Sequence, residues 1–141
     1  MAEEFSRTSR RRHVNTLKRI LVIDDEPALL KAMATVLAES GFHVFTAKSG
    51  KEATAKVLEH PIDLLITDLN MPDEDGIEII RRLKKDRPQL KVIAMSGAFG
   101  PNIMTVAQKL GADATLNKPI TVAKLLDCIR KLSNVETDDL S

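Results

Sequence analysis

The chain has 141 residues with 43% hydrophobic and 29% charged side chains, which suits one globular domain with short tails and excludes a largely disordered chain. A formal net charge of +1 argues against a chain-wide field for nucleic acid, so direct DNA binding is not expected. No run approaches the ~20 apolar residues of a membrane span and the N-terminus lacks an apolar signal region, so a soluble, cytoplasmic protein is expected.

Residues 1–17 are polar and carry Arg7, Arg10, Arg11 and Arg12 without interleaved aromatics; they read as a flexible basic extension. From Arg19 the pattern changes. Ile20, Leu21, Val22 and Ile23 form a short apolar run stopped by Asp24-Asp25-Glu26-Pro27, as in a parallel strand buried on both faces. Pro27 suits a first helical turn, and Leu29, Leu30, Met33, Val36 and Leu37 then recur at helical spacing up to Ser40-Gly41. Phe42, Val44 and Phe45 predict a second strand. Residues 49–59 predict a second helix with Ala53, Val57 and Leu58 on its packed face, broken at His60-Pro61.

Ile62 to Thr67 predicts a third strand ending at Asp68, followed by a loop of turn formers from Asn70 to Gly76. Ile77, Ile80 and Leu83 mark the next helix, which ends near Pro88. Val92 to Met95 reads as a strand closed by Ser96-Gly97, residues 101–110 as a helix capped by Gly111, and Asp113 to Leu116 as a last strand. Val122, Leu125, Leu126, Ile129 and Leu132 give a terminal amphipathic helix. The single Cys128 lies in that helix and reads as a structural thiol rather than a reactive one. The domain is expected over 18–133, with 134–141 an acidic tail carrying Glu136, Asp138 and Asp139.

About five strands alternating with about five helices predict an α/β, doubly wound five-stranded parallel sheet with helices on both faces. Such sheets bind ligands beyond the carboxyl ends of their strands, near the switch point. The polar residues at those ends are Asp24 and Asp25, Asp68, Ser96, and Asn117-Lys118-Pro119. Three carboxylates brought together repel one another. Their oxygen-only donor set, without His or Cys, favours a hard divalent cation, Mg²⁺ rather than zinc. Lys118 and Ser96 add a compact positive charge and a hydroxyl, suited to the oxygens of a transferring phosphoryl group, with one carboxylate as nucleophile. Alone, each has a plainer reading: Asp24-Asp25 as a helix cap, Asp68 as a turn residue, Ser96 in a loop, Lys118 on the surface. Their joint placement at successive strand ends favours aspartyl phosphorylation.

In these motifs the chain resembles the receiver domains of two-component response regulators, including the small chemotaxis-type members with a flavodoxin-like (βα)5 fold. The resemblance covers about residues 18–133. It rests on Ile20 to Pro27, Asp63 to Pro72 with Gly76, Met95-Ser96-Gly97-Ala98, and Gly111-Ala112-Asp113 through Lys118-Pro119. It implies Asp68 as phosphoacceptor, and Mg²⁺ (with Mn²⁺ as substitute) held by Asp24, Asp25, Asp68 and the backbone carbonyl of Asn70. It also implies Ser96 as switch hydroxyl, Lys118 as phosphate lysine, and a cis Lys118–Pro119 peptide. Thr115 stands where the family often places a switch aromatic; nothing assigns that role to Phe99.

By the same resemblance, the phosphoryl group comes from a histidine kinase, a histidine phosphotransfer protein or a small phosphodonor. A downstream protein would read the 101–132 surface of a monomer or weak dimer. The chain would then catalyse its own phosphotransfer and dephosphorylation without being a turnover enzyme. A free-standing regulator is expected, with a receiver excised from a hybrid kinase or larger regulator as the alternative. Two rivals differ in kind. An aspartate-nucleophile phosphatase would need a second acid where Asn70 stands, and a module that only binds would lack one of the charged groups.

Overall fold

A computed structural model describes residues 17–71, 74–97 and 101–140, with side chains described over 17–71, 75–97 and 105–133. The first apolar run forms strand β1 (Arg19–Ile23). Successive side chains of a strand point to opposite faces, and here both faces are covered. Leu21 and Ile23 enter one hydrophobic cluster, and Ile20 and Val22 the other. This double burial removes the polar alternation of a half-exposed strand, which is why the run is apolar throughout.

The remaining elements follow as α1 (Pro27–Glu39), β2 (His43–Ala47), α2 (Gly50–Glu59), β3 (Leu64–Asp68), β4 (Asn70–Met71), β5 (Glu74–Asp75), α3 (Gly76–Asp86), β6 (Lys91–Ser96), α4 (Pro101–Lys109), β7 (Ala114–Asn117) and α5 (Val122–Leu140). The main sheet has five parallel strands in the order β2-β1-β3-β6-β7, the expected doubly wound arrangement. Core residues of α1 and α5 (Leu30, Met33, Leu37, Leu125, Ile129) cover one face, and those of α2 and α3 (Ala53, Val57, Ile79, Ile80, Leu83) the other. The order of strands reverses at β1, with β2 added on one side and β3 on the other. The carboxyl ends of β1 and β3 therefore flank the crevice where such sheets hold ligands.

Local chemistry fixes the ends of these elements. Ser49 caps α2 by accepting from Glu52 N–H at 3.2 Å, and Asp75 caps α3 by accepting from Ile77 N–H at 3.0 Å. Gly41 and Gly111 terminate α1 and α4 at φ of 101° and 129°, the left-handed region glycine tolerates best. Asp63 pins the start of β1, its Oδ2 accepting from Lys18 N–H (3.0 Å) and Arg19 N–H (2.9 Å). Asp63→Ala strands both donors at a partly exposed site and should cost about 1–2 kcal/mol. Urea unfolding checks this, the midpoint falling with little change in slope.

Four expectations require correction. Leu58, assigned to the packed face of α2, is 69% exposed; that face is a narrow stripe of Ala53 and Val57. Within the stretch read as a plain loop, β4 and β5 form a short antiparallel ladder pairing Asn70 with Asp75 and Met71 with Glu74. Leu17, assigned to the extension, is 7% exposed and packs in the core. The last helix runs to Leu140, past Ser133 where the tail was placed. Residues 1–16 and Phe99, with the side chains of Glu136, Asp138 and Asp139, lie outside the described residues. Among those described, no helix is long and apolar enough to cross a membrane. Cys128 is half-buried against the α1/α5 cluster, and burial raises its thiol pKa, which suits a structural thiol.

Candidate phosphoacceptor site

Strand register assembles the site. Ile23 pairs with Thr67, so Asp24 follows β1 level with Asp68 at the end of β3. Asp68 pairs with Met95, and Ser96 with Asn117, which brings Ser96 and Lys118 to the same edge. Two backbone bonds hold the neighbouring ends in step, Leu69 N–H to the Met95 carbonyl and Lys118 N–H to the Ser96 carbonyl, both 2.9 Å. Residues 94 positions apart in sequence thus reach hydrogen-bonding distance.

Asp24 is fully buried, and Asp68 and Ser96 are each 2% exposed. Asp24, Asp25 and Asp68 present carboxylate oxygens that all lie within 4.8 Å of one another. The Lys118 ammonium reaches Asp68 Oδ2 at 2.9 Å and Asp24 Oδ2 at 3.3 Å, and exposed Glu26 more loosely at 3.7 Å. Asp24 Oδ1 accepts from Glu26 N–H at 2.9 Å, so this carboxylate is fixed at both oxygens. Neither Asp24 nor Asp25 caps α1, whose N-cap Glu26 makes no side-chain cap bond.

Burial pushes the Asp24 carboxyl above the ordinary aspartate range, and the neighbouring Asp68 charge adds to it. The Glu26 N–H and Lys118 pull in the other direction without cancelling the rise. Burial works against the Lys118 ammonium, but its hydrogen bond to Asp68 and the charges of Asp24 and Asp68 outweigh that effect and hold its pKa above the ordinary lysine value. Three carboxylates against one ammonium leave the pocket short of positive charge. An oxygen-only donor set with that deficit fits a hard divalent cation.

Asn70 is bound at the same place by its main chain, its N–H donating to Asp68 Oδ1 at 2.9 Å. Its side chain, which the sequence did not single out, donates from Nδ2 to Ser96 Oγ at 3.3 Å, while Oδ1 is buried without a partner. The Lys118–Pro119 peptide is cis. Thr115 lies half-buried on β7 opposite Ala94 of β6.

Gly76 closes the far side. A Cβ there would stand 2.6 Å from Leu69 Cα and 2.7 Å from the Asp68 carbonyl oxygen, distances that only glycine avoids. A Cβ at Gly97 would meet Lys118 Cβ at 3.0 Å, so the bare backbone lets the lysine stem lie flat toward the carboxylates.

Comparison with known proteins agrees with this geometry. The response regulator receiver domain model matches residues 20–130. The chemotaxis protein CheY of Bacillus subtilis is 33% identical over 118 residues, covering 82% of this chain and 98% of that protein. A CheY-like receiver domain from Methanospirillum hungatei superposes with a TM-score of 0.81 at 30% identity, covering 88% of this chain and 99% of that one. Response regulator TrrA of Thermotoga maritima, solved with Mg(2+)-BeF, gives 0.73 at 31% identity, over 82% and 98% of the two chains. Against several other curated relatives, transcriptional regulators among them, the chain spans only 24% to 52% of their length. With its five-stranded parallel sheet and an acidic pocket at the switch point, the chain belongs to the receiver domain family of two-component response regulators.

Proposed function

We propose that Asp68 is the phosphoacceptor of this receiver and that Asp24, Asp25, Asp68 and the Asn70 backbone carbonyl would hold Mg²⁺, or Mn²⁺ in its place. The observation that carries this reading is the pair of contacts from Lys118 Nζ to buried Asp24 and Asp68, with Asp25 close by. A bound divalent cation would supply positive charge to the phosphoryl oxygens during transfer.

The chain's own groups do the rest. A carboxylate oxygen of Asp68 forms the new O–P bond as the donor's P–N or P–O bond breaks, and the leaving group departs with the bonding pair. Lys118, already at Asp68, offsets charge on the transferred group. Ser96 donates its hydroxyl to a phosphoryl oxygen and carries β6 with it. Donors are a histidine kinase, a histidine phosphotransfer protein or a small phosphodonor, in a cytoplasmic setting. Partners read the surface of α4, β7 and α5, where Val106, Leu110 and Val122 are exposed. The chain dephosphorylates itself and does not turn over a free substrate.

Incubation with acetyl phosphate and Mg²⁺ should add one phosphoryl mass in a hydroxylamine-labile form, mapped by peptide mass spectrometry to Asp68. Chelation with EDTA should abolish the adduct. Mapping to another residue, or an adduct indifferent to EDTA, would refute the assignment.

A further inference from the structure

Asn70 joins the acceptor to the switch hydroxyl. Its main-chain N–H holds Asp68 Oδ1 at 2.9 Å, and its carboxamide holds Ser96 Oγ at 3.3 Å across 26 residues of sequence. Ser96 is 2% exposed, so its hydroxyl has little access to water and its bonding is decided by neighbours. Asn70 Oδ1 is buried and unpartnered. The carboxamide and hydroxyl are bonded whichever way the amide is turned, since a hydroxyl accepts from Nδ2 or donates to Oδ1.

From this we infer that the Asn70 side chain is a latch, a positioning residue that holds Ser96 in the resting arrangement and must release it before the hydroxyl reaches a phosphoryl group on Asp68. This rests on the phosphoacceptor reading above and adds to it a residue that sets the balance between the two states. The 3.3 Å separation is at the long end for a hydrogen bond, and only one end of the amide is satisfied. Ser96 accepts from Nδ2 and keeps its proton for donation, so the competition is for position. A hydroxyl drawn to a charged phosphoryl oxygen, the stronger partner, leaves the carboxamide behind when Asp68 is modified and stays with it when it is not. The N–H of the same residue stays with Asp68, so a change at the acceptor and release of the hydroxyl pass through one short segment.

The test is nuclear magnetic resonance on ¹⁵N-labelled protein titrated with Mg²⁺ and beryllofluoride. In the wild type, the Asn70 amide protons should show cross-relaxation to the Ser96 side chain, lost at the beryllofluoride endpoint. Asn70→Ala should move resting amide shifts along the line toward that endpoint, an active population raised about two- to tenfold for one net hydrogen bond removed. With Ser96→Ala already in place, Asn70→Ala should shift nothing further, an outcome a merely structural role would not give. Asn70→Ser, with a shorter polar group, should fall between wild type and Asn70→Ala. Resting spectra of Asn70→Ala that match the wild type, or equal displacement in both Ser96 backgrounds, would overturn the latch. Wild-type protein that does not bind beryllofluoride would overturn the acceptor assignment, and the latch with it.

Discussion

Asp68→Asn is expected to reduce phosphoryl incorporation from acetyl phosphate to background, with the fold retained. Asn has nearly the shape of Asp, and its amide oxygen can still accept from the Asn70 N–H that now meets Asp68 Oδ1. A carboxamide is a far poorer nucleophile than a carboxylate, so the chemical step is lost while the packing stays. One of three crowded carboxylates also disappears, which removes a like-charge contribution to the raised Asp24 carboxyl. The variant also loses the Lys118–Asp68 ion pair, so some stability goes with it. Circular dichroism matching wild type below the unfolding transition would confirm that the fold is kept and the loss of incorporation is chemical. Incorporation comparable to wild type would show that another group accepts the phosphoryl.

The second large effect is on stability. Lys118→Ala removes the ammonium shared by Asp24 and Asp68, two nearly inaccessible carboxylates. Breaking a buried pair from one side costs about 3–5 kcal/mol. Asp24 can relieve part of that by taking up a proton, so a loss near the low end, about 3 kcal/mol, is expected in chelator at neutral pH.

The pH dependence has a definite sign. Asp24 already titrates above its ordinary value, and loss of Lys118, which lowers it, drives it higher. A carboxyl whose folded pKa is raised binds more protons folded than unfolded, so stability declines as pH rises through that window. The penalty should therefore be small below the ordinary aspartate value of about 3.9 and complete above the raised folded value. The variant also loses a cation that competes with a divalent ion for the same oxygens. Saturating Mg²⁺ should raise its melting temperature more than that of wild type. A pH-independent penalty, or an equal Mg²⁺ response in both proteins, would show that Lys118 acts through packing alone.

The polar strand ends were legible because each interrupts an apolar run, and parallel pairing places those ends on one edge. Asp24, Asp68, Ser96 and Lys118 meet as their register requires. What escaped detection depends on neighbours distant in sequence. Val57 and Leu58 stand about 100° apart on a helical wheel, close enough for both to sit on a wide apolar stripe, and the sheet's position decides that Val57 is buried and Leu58 is not. The β4–β5 ladder was hidden by the turn-forming composition of its residues. Leu17 is a lone apolar residue between polar neighbours, so no periodicity marks it as core. The extra turns of α5 consist largely of polar residues, which give no amphipathic signal even where the helix continues. The Asn70 carboxamide has no local signature, because its partner Ser96 lies 26 residues away on another strand.

The absence of a side chain at Gly76 has a mechanical consequence. The first turn of α3 is seated against the backbone of Asp68 and Leu69, so Asp68 has no room to shift toward that flank by itself. Displacement there would have to drag a whole helix.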